Sequence, residues 1–205
     1  MKYKSQNNET EIVLKYFNGR KGTVLEIGAN DGITFSNSYD LIQRGWSAIL
    51  VEPSSVFEDL KNLYRNHPQV SLQNIAIGTE EGRLKFYESG AHIKDGVDRA
   101  LVSTAVEEEL EKRKDVDFRV TEVPVTTFES FRKDYAQTNF DYISIDVEGM
   151  DLQVLSQIDL NEVGCDCLCI EYNMNTQLAN QFILYCRQFG LKEHYVNLEN
   201  IIFVR

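Results

Sequence analysis

Thr23-Val24-Leu25-Glu26-Ile27-Gly28-Ala29-Asn30-Asp31-Gly32 sets a short apolar run against a glycine-containing turn. A run of this length that stops at glycine reads as a strand buried in a parallel sheet. The glycines that follow let the backbone bend tightly and come close to a ligand. Outward from it, residues 48–51 form a second such strand, ended by Glu52-Pro53, and 70–77 a third, stopped by Gly78. Residues 142–145, ending at Asp146, and 165–170 complete the buried set. Helical spacing fills the intervals at 7–16, 36–44, 54–64, 127–135, 151–157 and 176–189. Residues 83–87 and 118–125 alternate polar and apolar, as strands with one wet face do. Residues 191–196 and 200–204 flank Asn197-Leu198-Glu199 and predict a closing hairpin.

Strands alternating with helices predict an α/β fold: an open, mostly parallel sheet with right-handed crossovers and a C-terminal antiparallel hairpin at its edge. Neither a linker nor an internal repeat interrupts the pattern, so residues 1–205 read as a single domain. Residues 88–117 depart from it and read as a substrate or lid insertion. Within that insertion 106–114 is helical and highly charged. Glu108 with Lys112, and Glu109 with Arg113, have i,i+4 spacing and read as a solvated helix face.

The 205 residues include 21 basic and 32 acidic ones, a formal net charge of −11 and a sequence pI near 4.8. A surface this negative repels phosphate backbones and anionic headgroups, which disfavours nucleic-acid and membrane partners. No apolar run approaches the roughly 18–20 residues that span a bilayer. Met1-Lys2-Tyr3-Lys4-Ser5-Gln6 leads into Asn and Glu rather than into an apolar signal core, so a soluble, cytoplasmic chain is expected. Three of the four cysteines alternate at 165, 167 and 169. Side chains at i and i+2 on a strand stand roughly 6.5–7 Å apart, too far to share one zinc comfortably, so with Cys186 they read as buried thiols.

In such a sheet, ligands bind at the carboxyl ends of the strands where strand order reverses. That rule selects residues 26–32, 52–53, 74–78, 146–149 and 171–173, and four of these five ends carry a carboxylate. Ionised carboxylates accept hydrogen bonds and donate none, which suits ribose hydroxyls, ammonium or sulfonium groups and metal ions, not phosphates. With Gly28 as first glycine, a dinucleotide G-x-G-x-x-G finds Asn30 and Ile33 at its other two glycine positions. Asp31 adds a negative charge where a pyrophosphate would arrive. An NAD-dependent oxidoreductase is therefore the weaker alternative. Glu52 lies 24 residues after Gly28, the spacing at which an acidic residue grips a ribose. A ribose clamp without a phosphate cradle implies a phosphate-free adenosyl ligand such as S-adenosylmethionine.

The 26–32 turn, Gly45-Trp46 before Val51-Glu52-Pro53, and Ile143-Ser144-Ile145-Asp146-Val147-Glu148-Gly149-Met150-Asp151 together resemble the FkbM family of S-adenosylmethionine-dependent methyltransferases. The closing Asn200-Ile201-Ile202-Phe203-Val204-Arg205 agrees with it, and the resemblance runs from Gly22 to Arg205, least over residues 90–114. It implies a class I methyltransferase, Rossmann-like fold and O-methylation of a hydroxyl, on a sugar, glycan or other small-molecule acceptor. It also implies that Glu26, Gly28, Asn30, Asp31, Gly32 and Asn37 surround the methionine part of the cofactor. Glu52 would hold the ribose, Pro53 and Ser54 would lie near the adenine, and Asn74, Ile75 and Ala76 would line it. Asp146 would face the reacting methyl group.

Methyl transfer is an in-line displacement that needs an aligned acceptor oxygen, removal of its proton and exclusion of water. Asp146 or Glu148 is the expected base, both lying on the loop after a central strand, with His92 in the insertion as the alternative. A Glu148 that merely meets a helix N-terminus is the plainer reading of that residue. His67 and His194 read as structural. Asp146, Glu171 and Asn173 offer three hard oxygen ligands, laid out as in the magnesium site of catechol O-methyltransferases and suited to Mg²⁺ or Mn²⁺. A non-catalytic module that keeps an adenosyl pocket, and methylation of a lysine amine, are the remaining alternatives.

Overall fold

Two sheets carry the chain. The computed structural model describes residues 3–90, 100–136 and 138–205. It opens with α1 (Glu9–Phe17), β1 (Thr23–Ile27), α2 (Tyr39–Ile42), β2 (Ser47–Val51), α3 (Phe57–Tyr64) and β3 (Val70–Gln73). There follow β4 (Ala76–Ile77), β5 (Gly82–Ser89), α4 (Glu107–Glu111), β6 (Phe118–Thr126), α5 (Phe128–Lys133) and β7 (Tyr142–Ile145). It closes with α6 (Asp151–Leu155), β8 (Cys167–Glu171), α7 (Thr176–Gln188), β9 (Lys192–Val196) and β10 (Asn200–Val204). Seven strands form the main sheet in the order β3-β2-β1-β7-β8-β10-β9, and β4-β6-β5 form a second. From β3 to β8 the main sheet is parallel. β10 runs antiparallel between β8 and β9 as the expected hairpin edge. The chain leaves β1 toward β2 and β3, then returns to β7 and β8 on the other side. The switch point therefore lies at the ends of β1 and β7.

Successive strand residues face opposite ways. Leu25 and Ile27 accordingly pack with Ile143, Ile145, Leu168 and Phe182 on one face of the sheet. Val24 packs with Trp46, Leu50, Tyr142 and Cys167 on the other. Each such side chain withdrawn from water contributes roughly 1.5–3 kcal/mol, which is why strands covered on both faces are apolar throughout. All four cysteines are buried and unbridged, as core thiols.

Several expected elements are corrected. The run 70–77 is two strands in two sheets, because the Asn74 carboxamide donates to the Glu52 carbonyl at 2.8 Å and ends the β3 ladder. Beyond it β4 pairs with β6. The helix expected over 36–44 shortens to α2, because Ser36, Asn37 and Ser38 all donate to the Glu26 carboxylate. The helix expected from residue 54 starts later, at Phe57, and the Ser54 amide donates instead to Glu52 Oε1 at 2.8 Å. β5 and β6 pair antiparallel from Gly82↔Val125 to Ser89↔Phe118, so residues 88–117 include the far end of a long hairpin. Residues 91–99, and with them His92, lie outside the described residues. Among the described residues no helix is long and apolar enough to cross a membrane.

Candidate active site

The C-terminal ends of β1, β2, β7 and β8 open onto one cavity of about 330 Å³. Gly28 lets them meet. Its φ is +91°, and an added Cβ would lie 1.7 Å from the Asp146 carbonyl oxygen. The Gly28 and Ala29 amides donate to the Val51 carbonyl at 2.9 and 3.0 Å, and the Asp146 amide to the Ile27 carbonyl at 3.0 Å. Beside this turn the buried Glu26 carboxylate accepts from the Ser38 hydroxyl at 2.5 Å, the Asn37 amide at 2.9 Å and the Ser36 hydroxyl at 3.3 Å. Burial still raises its pKa to about 7, against the pull of those donors. Asn37 donates Nδ2 to Ser144 Oγ at 3.1 Å, and its Oδ1 is buried without a hydrogen-bond partner.

Glu52 ends β2 with its carboxylate anchored at both oxygens. The Ser54 amide donates to Oε1 at 2.8 Å and the Asn30 amide to Oε2 at 2.9 Å. Burial raises its pKa, and those donors oppose the shift. Each oxygen keeps further acceptor capacity.

Across the cavity Asp146, Glu148 and Glu171 place carboxylate oxygens within 4.8 Å of one another. Asp151 shapes the loop that carries two of them: it accepts the Val147 and Gly149 amides, each at 3.1 Å. Glu148 takes a left-handed backbone at φ +51°, three residues before α6 begins. Its Oε2 accepts from Arg113 at 2.5 Å, and Arg113 also pairs with Glu109 at 3.5 Å. This corrects the solvated-face reading for Arg113, which lines the cavity. Lys112 pairs with Glu109 at 2.6 Å.

Burial first, then Glu148 and Asp151, hold the Asp146 carboxyl well above the usual carboxylate range. Burial and Asp146 do the same to Glu171. Burial raises Glu148 to about 7 against the nearby Arg113, and raises Asp151 to about 6. A carboxyl whose folded pKa exceeds its unfolded value binds more protons when folded. Its stability contribution is therefore full below the unfolded pKa and is lost as pH rises through the folded pKa. Glu26 alone, at about 7, removes about 2 kcal/mol between pH 5.5 and 8.5. Calorimetry of the ligand-free, metal-free chain should find Tm roughly 4–8 °C higher at pH 5.5 than at 8.5. Glu26→Gln should shrink that gap, and a flat or rising Tm would contradict this electrostatic account.

Of the residues singled out from the sequence, Glu26, Gly28, Asn30, Asn37, Glu52, Pro53, Ile75, Ala76, Asp146, Glu148, Glu171 and Asn173 line the cavity. Four do not border it. Asp31 turns back to accept from the Ile33 and Thr34 amides at 2.8 and 2.7 Å. At Gly32 an added Cβ would meet the Leu60 and Tyr64 side chains, so that glycine packs on α3. Ser54 and Asn74 act one step back, on Glu52. Sequence reasoning missed Gln6, Phe35, Arg113, Glu199 and Asn200, which also line the cavity. Only Asn200 left a signal: it opens the second strand of the predicted hairpin, and that strand also pairs with β8, which sets Asn200 opposite Glu171.

The profile of the methyltransferase FkbM domain matches residues 26–192. No curated protein sequence matches significantly. Among solved structures, a proposed RNA methyltransferase from Pyrococcus horikoshii superposes with a TM-score of 0.54 at 10% identity, over 97% of this chain and 80% of that one. Aeropyrum pernix fibrillarin, with natively bound S-adenosyl-L-methionine, gives 0.50 at 13% identity over 96% and 76%. A methyltransferase from Geobacter sulfurreducens gives 0.50 at 11% identity over 99% and 80%.

Proposed function

The chain belongs to the FkbM methyltransferase family and has the class I methyltransferase fold, and from that premise we propose that it is an S-adenosylmethionine-dependent O-methyltransferase acting on a sugar or glycan hydroxyl. The observation that carries this reading is Glu52. It is a buried strand-end carboxylate whose orientation two backbone amides fix, facing a cavity lined, among the described residues, by a single basic residue, Arg113. Such a group grips ribose hydroxyls and repels phosphate. The residues fit the cofactor elsewhere too. The orphaned Asn37 Oδ1 supplies an acceptor for an ammonium group, and Gly28 leaves room only for backbone at the floor.

Bound S-adenosylmethionine supplies an electrophilic methyl group on a sulfonium. This chain's own part is to exclude water, to orient the acceptor and to take its proton. Asp146 and Glu171 are placed to hold that proton, since both carboxyls sit above the usual range. With Glu148 they also form a hard oxygen set suited to Mg²⁺ or Mn²⁺, which lowers the pKa of a bound hydroxyl. Asn173, proposed as a ligand beside them, lines the same cavity and hydrogen-bonds Glu171.

Calorimetric titration with S-adenosylhomocysteine should give tight binding that Glu52→Ala weakens by at least about 100-fold, as expected for two lost hydrogen bonds to a charged group. Absence of heat from the native chain, or stabilisation by NAD⁺ instead, would remove the reading. Screening nucleotide sugars and glycans, with Mg²⁺ or with EDTA, tests the acceptor and the metal together.

A further inference from the structure

We propose that the cavity mouth between Phe35 and the β9–β10 turn is the acceptor subsite, where Phe35 stacks on a sugar ring and Gln6 and Glu199 hold its hydroxyls. The inference rests on the methyltransferase reading above and adds the residues that select the acceptor. Topology sets the direction. Glu52 stands at the end of β2, whereas Glu171 and Asn200 stand three and four strands further along the sheet, at β8 and β10. At roughly 4.8 Å per strand that is about 14–19 Å, which leaves the β8–β10 end to the group being methylated.

Phe35 is 42% exposed, lines the cavity and takes a left-handed backbone at φ +55°. A side chain with a Cβ adopts that conformation only where its surroundings impose it, and such residues gather at ligand sites. Asn30, Ala100, Glu148 and Asn173, also non-glycine with positive φ, line the same cavity. The imposing contact is the N-terminal segment. Ser5 bridges Phe35 as an isolated parallel pair and accepts the Thr10 amide on its hydroxyl at 3.1 Å. Asn7 donates to Glu199 at 2.5 Å. The fully buried Glu9 then accepts from Asn197 at 2.6 Å and from Asn200 at 3.1 Å. Residues 5–9 thus run from Phe35 to the hairpin turn and carry the exposed Gln6 along the mouth. They precede residue 26, where the family match begins.

The chemistry selects the occupant. A sugar ring offers an apolar C–H face to an exposed aromatic ring and a rim of hydroxyls to a carboxamide and a carboxylate. A purely apolar acceptor would bury the Gln6 carboxamide against an apolar surface, and a phosphate would face the Glu171 and Glu199 carboxylates that line this side.

Saturation-transfer NMR on the S-adenosylhomocysteine-loaded chain tests this, with methyl α-rhamnopyranoside and methyl β-glucopyranoside as probes. Transfer to ring C–H protons is expected in the native chain and in Phe35→Tyr. It should fall at least five-fold in Phe35→Asn, which tolerates the backbone and lacks the ring, and should weaken in Gln6→Ala. The affinity for S-adenosylhomocysteine should stay within two-fold throughout. Equal transfer in Phe35→Asn, or none from a native chain that binds S-adenosylhomocysteine, overturns the subsite and leaves the methyltransferase reading standing. Loss of S-adenosylhomocysteine binding in Phe35→Asn also overturns it, by assigning Phe35 to the cofactor. Failure of the native chain to bind S-adenosylhomocysteine overturns the reading beneath.

Discussion

Asp146→Asn should lower kcat by about 10²–10⁴-fold, the usual span for loss of a positioned proton acceptor, and leave affinity for S-adenosylhomocysteine within a few-fold. The substitution keeps the size of the side chain and the backbone contacts that hold it, including the amide donated to Ile27 at 3.0 Å. What it removes is a carboxylate that burial, Glu148 and Asp151 push well above the usual range. Such a group gains its proton-accepting form only above the usual carboxylate range, so native kcat should climb with pH beyond that range. The climb should vanish in the variant. Glu148→Gln should do less, because Arg113 already occupies one oxygen of Glu148 at 2.5 Å.

The same variant separates the two uses of the acidic trio. If Asp146, Glu148 and Glu171 hold a divalent cation, EDTA should abolish native activity, and Mg²⁺ or Mn²⁺ should restore it to the native chain and not to Asp146→Asn. If they hold only the proton, EDTA should leave the native chain unaffected while the variant remains slow. A variant with kcat within three-fold of native, with or without metal, would remove Asp146 from both roles.

The strands legible in the sequence were those whose bounds depend on local chemistry. β1 and β7 begin and end where the apolar runs meet glycine or an acidic residue, and β10 is the apolar run that opens at Asn200. Where bounds depend on distant partners, the pattern misleads. The break between β3 and β4 needs the Asn74 carboxamide to reach the Glu52 carbonyl, and the late start of α2 needs three donors drawn to Glu26. The same division runs through the site. Glu52 and Asp146 were visible because each ends a readable strand. Gln6 and Glu199 were not, because Asn7 reaches Glu199 across 192 residues and no periodicity records that closure. Arg113 was read as surface because its i,i+4 partner Glu109 is real, whereas its shorter contact, with Glu148, is long-range.

Gly28→Ala should be the most damaging small change in the chain. Two separate penalties meet there. The first is conformational: at φ +91° an alanine is strained by roughly 1–2 kcal/mol. The second is steric: the new Cβ would sit 1.7 Å from the Asp146 carbonyl oxygen and 2.9 Å from its carbonyl carbon. Backbone cannot swing aside as a flexible side chain can. The Asp146 amide is tied to Ile27, and the Gly28 and Ala29 amides are tied to Val51, so relief must pull β1 away from β7 or from β2. We expect a total destabilisation of about 3–5 kcal/mol, or roughly 6–20 °C in Tm, with loss of S-adenosylhomocysteine binding. Gly19→Ala is the control that isolates the first penalty, since its φ is +86° and its added Cβ would meet nothing within 4 Å. It should lower Tm by only a few degrees and leave binding intact. If the two variants melt together, or Gly28→Ala binds normally, the contact between Gly28 and the Asp146 carbonyl does not organise the site. The assignment of that turn as the cofactor floor would fall with it.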